Sequence, residues 1–196
     1  VKQEPLMAQL PKAGKIKKTT ENKQFGFKLL TLSNGAKVVL KKTDYKNDEV
    51  QFVASALGGS SAFDKKDYRE VKMMPSLMNA SGLGNFSNHD LEKALAGKIA
   101  SCGFSLSKYR HGLGGSSTPK DLETLMQLIY LNLTNISKDE KNVANLIATQ
   151  ANALDNQSNN PQAVFQDSLS STMYHGEKFY RSMTSAEVKS VNYDRA

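Results

Sequence analysis

The sequence has very little cysteine, few histidines and no long apolar run. Cys102 is the single cysteine among 196 residues, so an internal disulfide and a zinc cluster of several cysteines are excluded. It lies in the strand-like segment IASCGFSLS with no histidine nearby, and we interpret it as a small apolar residue and not as a catalytic thiol. The apolar runs are far shorter than the roughly 18 residues that span a bilayer, and VKQEPLMAQLPK lacks a signal-peptide stretch. We therefore expect no membrane span.

The three histidines, His89, His111 and His175, are far apart from one another in the sequence. A helical zinc site needs two ligands about one turn apart, so that both side chains leave the same face. We interpret these histidines as surface or hydrogen-bonded residues and not as metal ligands.

Negative charge is scarce at the N-terminal end. Residues 1–46 contain 11 lysines and 3 acidic residues, whereas residues 47–196 contain 15 basic and 16 acidic residues, so the formal net charge of +7 comes from the first segment. The basic stretch PKAGKIKKTTENKQ has no aromatic residue between its lysines and no arginine, the side chain that makes bidentate phosphate contacts. We predict a solvated linker there and not a phosphate-binding arm, and no nucleic-acid partner.

The domain organisation follows from the same composition. Residues 1–24 contain two prolines, Gly14 and several lysines among few apolar residues, which is typical of a connector. We therefore predict a linker over 1–24 and a single domain over 25–196. The sequence begins with Val1 and ends at VNYDRA without a helix stop signal, and we expect it to be a piece of a longer chain.

Along the chain, the first predicted elements are strands, and most of the predicted helices follow them. FGFKLLTLSNGAKVVLKKT reads as a hairpin with its turn at Asn34-Gly35, and DEVQFVASALGG as a third strand. Two further short strands fit CGFSLSKYRHGLGGSS, and the Asn160-Pro161 pair announces a late helix. Five capping residues stand three positions before an acid. They are Asp67, Ser87, Thr118, Ser137 and Thr184.

Three apolar stripes occur at helical spacing, each on one helix face, and the first two are predicted to face the core. They comprise Leu122, Leu125, Met126, Ile129 and Leu133; Val143, Leu146, Ile147 and Leu154; and Val164, Phe165, Leu169 and Met173. Because strands and helices alternate only partly, we predict an α+β fold in which a mostly antiparallel sheet packs against several helices.

The tetrapeptide Gly-Gly-Ser-Ser occurs twice, from Gly58 to Ser61 and from Gly114 to Ser117. Neither copy has the spacing of a phosphate-binding loop, and we predict that each ends a strand just before a helical segment. Anion binding at the helix start at Thr118 is the alternative reading of the second copy.

Ser-x-x-Lys also occurs twice, as Ser105 with Lys108 and as Ser117 with Lys120. An acylating serine needs its lysine one helical turn away, and we expect the first pair to fail because it lies in a strand. The second pair lies at a helix start, without the further elements of such enzymes. It remains a rival hypothesis.

Four segments, taken in order, resemble the pitrilysin/insulinase family of zinc metallopeptidases, the inverzincins. They are LSNGAKVVLKKT, YREVKMMPSLMNASG, DLEKALAGKIASCGFSLS and STPKDLETLMQLIYLNL. The resemblance covers residues 25–196 and consists of the order and spacing of these segments. It implies the pitrilysin/mitochondrial-processing-peptidase-like metallohydrolase fold.

In that family the helix aligned with MMPSLMNASG carries His-x-x-Glu-His, which holds zinc. Aligned on Met78 and Gly82, the two histidine positions hold Met73 and Leu77, and the glutamate position holds Ser76. Methionine offers zinc only a weak thioether, leucine offers nothing, and serine cannot take the proton of a zinc-bound water.

Two further departures affect the same motif. Pro75 lies inside it, and we expect it to disfavour helical geometry at Met74. The family's third ligand is a glutamate that would fall within 145–154, where the sequence has no acid. We therefore predict no catalytic residue, no metal ligand and no cofactor in this segment.

The resemblance implies the first domain of a second, non-catalytic half of a larger protease. The parent protein would hydrolyse peptides in a chamber, with zinc in its other half, and this domain would contribute chamber wall and contacts with other domains of the same chain. Residues that contact substrate in the family lie in its last domain and match no position here. An exported or periplasmic location also follows by resemblance. The alternative is a scaffold or assembly subunit of the same fold without protease activity.

Overall fold

The computed structural model describes residues 5–196. These residues form two compact units. The smaller unit is Met7–Glu49, and the larger unit is Val50–Ala196 together with the described residues that precede Met7. The smaller unit is a three-stranded antiparallel sheet in the order β1-β2-β3. Its strands are β1 (Ile16–Asn22), β2 (Phe27–Leu32) and β3 (Lys37–Lys41).

Strand β1 lies within the segment 1–24 for which the composition predicts a connector. Nearly all of its side chains are exposed, and its backbone pairs with β2 from Ile16 to Asn22. The strand is therefore held by its hydrogen-bond ladder and not by burial, which is why its sequence shows no apolar alternation.

The predicted hairpin joins β2 and β3. Gly35 has a φ of +88°, and the Asn34 side chain accepts a hydrogen bond from the amide of Ala36 at 3.1 Å. Only the glycine has positive φ. The asparagine stabilises the turn through its side chain, as in an Asx turn.

The larger unit has a second antiparallel sheet in the order β4-β7-β6 and a two-stranded pair, β5 with β8. Its strands are β4 (Val50–Leu57), β5 (Gly82–Leu83), β6 (Ala100–Leu106), β7 (Arg110–Ser117) and β8 (Ile136–Ser137). Its helices are α1 (Tyr68–Ala80), α2 (Asn88–Ala94), α3 (Leu122–Thr134), α4 (Glu140–Gln157), α5 (Pro161–Met173) and α6 (Ser185–Lys189). The predicted α+β class with antiparallel sheets is confirmed.

Helix α3 covers one face of this sheet. Leu125 and Ile129 are buried against Leu113 of β7, with Phe52 and Phe104 packed around them. The predicted stripe is only partly right, because Leu122, Met126 and Leu133 are exposed while Leu128 and Leu131 are buried. Within the part of the chain that the structure describes, no helix is long and apolar enough to cross a bilayer.

Most of the predicted helix starts are confirmed. Ser87, Thr118 and Thr184 each accept a hydrogen bond from the backbone amide three residues on, and Thr184 forms a complete capping box with Glu187. Asn160 caps α5 ahead of Pro161.

Two predicted caps differ from the structure. Asp67 stands at the start of α1 but makes no side-chain capping bond, and it pairs with Arg195 instead. Ser137 is taken into strand β8, and Asp139 caps α4 in its place.

The two Gly-Gly-Ser-Ser copies have different positions. The first follows the end of β4, as predicted, and leads into a single 3-10 turn. The second forms the last four residues of β7, directly before the helical turn capped by Thr118, as predicted, although the strand ends at Ser117 and not at Gly114 and Gly115. A Cβ on Gly115 would lie 2.9 Å from Leu125 Cδ1, so glycine lets α3 approach the sheet closely.

Candidate functional site

Helix α1 carries the stretch aligned with the family's zinc motif. It runs through Pro75 without ending, so the expected loss of helical geometry at Met74 is wrong. Proline deprives the carbonyl of Val71 of its usual amide donor. The helix persists because Val71, Met73 and Leu77 are all buried.

The residues at the aligned ligand positions are buried among apolar side chains. Met73 and Leu77 are 4% and 1% exposed and form one cluster with Val143 and Ala151 of α4, and with Val188 of α6. The stretch 145–154 therefore does pack on α1, as a third ligand would require. It contributes aliphatic contacts to this cluster, since Leu146, Ile147 and Leu154 are also packed against it.

These residues do not fit a zinc ion. Ser76 is half-buried, and the cluster around Met73 and Leu77 offers the weak thioethers of Met73 and Met183 and no imidazole or side-chain carboxylate. Within residues 5–196, no group of three or more histidine, cysteine or acidic side chains is arranged to hold a metal ion.

A polar cluster lies at the start of the same helix. The Arg181 guanidinium donates through both terminal nitrogens to the Glu187 carboxylate, and the hydroxyl of Tyr68 donates to the same carboxylate. The hydrogen bonds from Arg181 hold the pKa of Glu187 far below its usual value, while burial raises the pKa of Tyr68. This cluster fixes α1 to α6 and to the segment before it.

Lys72 lies beside this cluster. Its ammonium donates to the backbone carbonyl of Arg181, and burial followed by the charge of Arg181 lowers its pKa. No local sequence pattern indicates this contact, because the partners are 109 positions apart.

The rival acylating pairs are not assembled. The Ser117 hydroxyl is buried without a hydrogen-bond partner in the described structure, and Lys120 is exposed on the turn that precedes α3. Ser105 lies in β6 and Lys108 in the following turn, as expected.

Cys102 also lies in β6 and is packed against the α3 core. Burial raises the pKa of its thiol to about 11, so the thiol is protonated at neutral pH. This environment agrees with its interpretation as an apolar residue.

The histidines lie apart in the structure too. His89 is exposed near the start of α2. Glu92 follows it one helical turn later. His111 is exposed in β7 and its Nδ1 contacts the carbonyl of Gly58. His175 follows α5 with a φ of +51°.

The first Gly-Gly-Ser-Ser copy binds the β6–β7 turn, which sequence reasoning missed. The amides of Gly58, Ser60 and Ser61 donate to the carbonyls of residues 109, 107 and 108 at 3.0, 2.9 and 2.9 Å. A Cβ on Gly59 would lie 2.2 Å from the Ser107 carbonyl oxygen, so no other residue fits there without a shift. This contact has no sequence signal, because the two segments are far apart in the chain and meet only when the sheet has formed.

The order of elements in the larger unit defines the class of protein. Helix α1 lies between β4 and β6 in sequence, β7 completes the sheet, and α3 to α5 follow it. The crystal structure of the periplasmic protease PqqL from Escherichia coli has this fold, with a TM-score of 0.78 over 98% of this chain and 21% of that chain at 20% identity. The pitrilysin-like metallohydrolase fold predicted from the resemblance is confirmed.

Sequence comparisons give the particular relatives. A protein of Arabidopsis thaliana named zinc protease PQQL-like is 27% identical over 190 residues, which is 96% of this chain and 17% of that protein. The Escherichia coli protein named probable zinc protease PqqL is 25% identical over 149 residues, 76% of this chain and 16% of that protein. No protein-family model matches the chain.

A second solved structure agrees in fold. The ferredoxin protease FusC, crystallised as a mutant with Arabidopsis ferredoxin, gives a TM-score of 0.77 over 100% of this chain and 22% of that chain, at 18% identity. The chain is homologous to the pitrilysin-like zinc proteases named PqqL. It spans about a fifth of the length of these relatives and corresponds to a domain-sized part of them.

Proposed function

We propose that this chain is a non-catalytic domain of a larger zinc metallopeptidase that hydrolyses peptides. In this proposal zinc is held in the other half of the parent protein, and the chain provides chamber wall and contacts with neighbouring domains. Residues 1–24 would be the connector from the preceding half, and their part Ile16–Asn22 joins the smaller sheet as β1. No residue of the chain is assigned to catalysis or to metal binding.

The packing of Met73 and Leu77 against α4 carries the proposal. Both positions align with zinc-binding histidines, yet both side chains are buried in an aliphatic cluster. Placing a hydrated metal ion there would require the loss of a closely packed core as well as the gain of three ligands. A change of that size supports a structural role for α1 in this domain.

The exposed apolar face of α5 supports the contribution to domain packing. Phe165, Leu169 and Met173 are 58%, 42% and 63% exposed, although their spacing is that of a core-facing stripe. A row of large apolar side chains one turn apart is covered in a stable protein. We assign its covering to another domain of the parent protein.

Metal analysis tests the proposal directly. The 196-residue chain, dialysed against zinc and then against metal-free buffer, should retain less than about 0.1 zinc per chain. The matched variant Met73→His/Ser76→Glu/Leu77→His restores the motif, but it should still bind zinc weakly because α4 supplies no third ligand. Stoichiometric zinc in the unmodified chain, or peptide cleavage by it, would show that the assignment is wrong.

The location of the parent protein is part of the same proposal. The Escherichia coli relative of known structure is a periplasmic protease. We propose an exported or periplasmic location for the parent of this chain. Fractionation of cells that express the full-length parent protein, with periplasmic and cytoplasmic marker enzymes measured in parallel, checks this assignment.

A further inference from the structure

Three exposed tyrosines surround one lysine beyond the sheet end at which β6 turns into β7. Tyr109, Tyr174 and Tyr180 are 63%, 46% and 41% exposed, and the Nζ of Lys108 lies 5.3 Å from the ring centre of Tyr109 and 5.1 Å from that of Tyr180. None of these side chains takes part in the α1–α4 cluster. We call these four residues the tyrosine–lysine surface.

The backbone beneath this surface is fixed. Lys108 and Tyr109 lie in the turn whose carbonyls accept the hydrogen bonds of the first Gly-Gly-Ser-Ser copy. The turn is closed a second time by Ser107, whose amide and hydroxyl both donate to the carbonyl of Arg110 at 2.8 and 3.0 Å. A lysine on such a turn loses less backbone entropy on binding than one on a mobile loop.

The tyrosine from the other segment is also held in place. Tyr180 stacks on Tyr174 with ring centres 4.3 Å apart and an angle of 13° between the planes. The amide of Tyr180 donates to the Glu177 carbonyl at 2.9 Å. The ring is therefore oriented before any ligand arrives.

The lysine and the phenols form a set of hydrogen-bond donors. The Lys108 ammonium donates one of its three N–H groups to the Tyr180 hydroxyl, which leaves the O–H of that tyrosine available as a donor. Hydrogen bonding to Tyr180 and then to Tyr109 raises the pKa of Lys108, so the ammonium stays charged. The remaining N–H groups of Lys108 and the phenol O–H groups are donors of the kind that a carboxylate accepts from.

Within the described residues, three basic residues on or near this surface, Lys108, Arg110 and Lys178, make no ion pair. Asp167, however, lies close to Tyr180. The one acidic residue of the segment 174–180 is Glu177, and its carboxylate is taken by Lys65 at 2.6 Å. Unpaired positive charge beside aromatic edges favours an anionic partner.

We propose that the tyrosine–lysine surface binds the side-chain carboxylates of an acidic, extended peptide. Lys108 and the hydroxyls of Tyr109 and Tyr180 bind a glutamate or aspartate, and the exposed tyrosine rings contact the neighbouring residues of the peptide. This binding is independent of the function proposed above, since it uses neither α1 nor a metal.

The geometry favours a peptide over a single-stranded nucleic acid. One face of Tyr180 is covered by Tyr174, so this ring offers a stacked base only its other face. A nucleic acid also needs a track of cations along its phosphates, whereas Lys108 is the single cation of the four-residue surface.

Fluorescence anisotropy with labelled peptides tests the proposal on the 196-residue chain. The probe is a short peptide that alternates glutamate with small residues, and its matched control carries glutamine at every glutamate position. We expect saturable binding of the glutamate peptide that is at least about tenfold tighter than that of the glutamine peptide. Raising the ionic strength from about 0.05 to 0.5 M should weaken it by roughly tenfold.

Variants locate the site. Lys108→Ala and Tyr180→Ala should each weaken binding of the glutamate peptide about tenfold, while Lys108→Arg keeps the charge and should restore most of it. Lys120→Ala and Tyr45→Ala are matched controls, because both residues are exposed and Lys120 lies at the opposite end of β7. Circular dichroism of each variant shows whether it is folded, and Lys108→Glu replaces any variant that is not.

Several results would overturn the proposal. Equal binding of the glutamate and glutamine peptides would do so, as would an equal loss in Lys120→Ala or tighter binding of a single-stranded oligonucleotide. If sedimentation velocity shows a dimer and Lys108→Ala makes it dissociate, this surface instead binds a second copy of the chain.

Discussion

Helices α1 and α5 are both 13 residues long and both carry large apolar side chains at helical spacing, yet their surroundings are opposite. Helix α1 buries Met73 and Leu77 against α4, whereas α5 leaves Phe165 and Leu169 exposed. The comparison teaches that apolar periodicity identifies a helix face that can be buried, and does not determine which element buries it. It does not say whether the covering element lies in the same domain.

The largest expected effect is a difference in stability between two leucine-to-alanine variants, one in α1 and one in α5. Leu77→Ala should lower the free energy of unfolding by about 2–5 kcal/mol, because the leucine is 1% exposed and its removal leaves a cavity. Leu169→Ala should cost less than about 1 kcal/mol, because that leucine is 42% exposed. Urea unfolding followed by circular dichroism measures both, and equal losses would abolish the distinction.

The next effect concerns the polar cluster that fixes α1 to α6. Glu187→Gln should lower the free energy of unfolding at neutral pH by about 1–3 kcal/mol, because it breaks the charged hydrogen bonds to Arg181. The exposed Glu92→Gln is its control.

Acid titration of stability sharpens this prediction. The pKa of Glu187 is lowered in the fold, whereas the carboxyl titrates near 4.5 in the unfolded chain. The unfolded state therefore binds the proton first as the pH falls below that value, and the stabilisation present above it is lost. Between about pH 6 and 2 the unmodified chain should lose stability more steeply than Glu187→Gln; parallel curves would contradict the assignment.

The last prediction compares two alanines on the helix that faces α1. Ala151 is fully buried in the α1–α4 cluster, and Ala148 on the same helix is exposed. Ala151→Leu should cost about 1–3 kcal/mol because the cluster has no room for three further carbons. Ala148→Leu should change stability by less than about 0.5 kcal/mol. Thermal unfolding of the two variants checks this, and a tolerated leucine at 151 would mean that the cluster is loosely packed.

Local signals allowed much of the fold to be predicted. The caps at Ser87, Thr118 and Thr184 depend on residues three positions apart, so the sequence contains all the partners. The cap expected at Ser137 failed because that residue pairs with Gly82, far away in the chain. Likewise, the face of α3 that is buried depends on how the helix sits on β7, which the spacing of its leucines does not determine.

For the candidate site too, some features could be predicted from the sequence and others required the structure. The prediction that this segment lacks zinc ligands depends on the identities of Met73, Ser76 and Leu77 alone, because it is a statement about side-chain chemistry. Their burial against α4 and the meeting of Lys108 with Tyr180 required the structure. The second contact joins residues 72 positions apart and leaves no periodic pattern.

The three hydrogen bonds from the first Gly-Gly-Ser-Ser copy also bear on the order of folding. Their donors follow β4 and their acceptors lie in the β6–β7 turn, so these contacts close a loop that contains α1, β5, α2 and β6. Closing a loop of this length costs chain entropy before the contacts form. The time at which the Gly58, Ser60 and Ser61 amides become protected in pulsed hydrogen exchange therefore reports when the β4-β7-β6 sheet is complete.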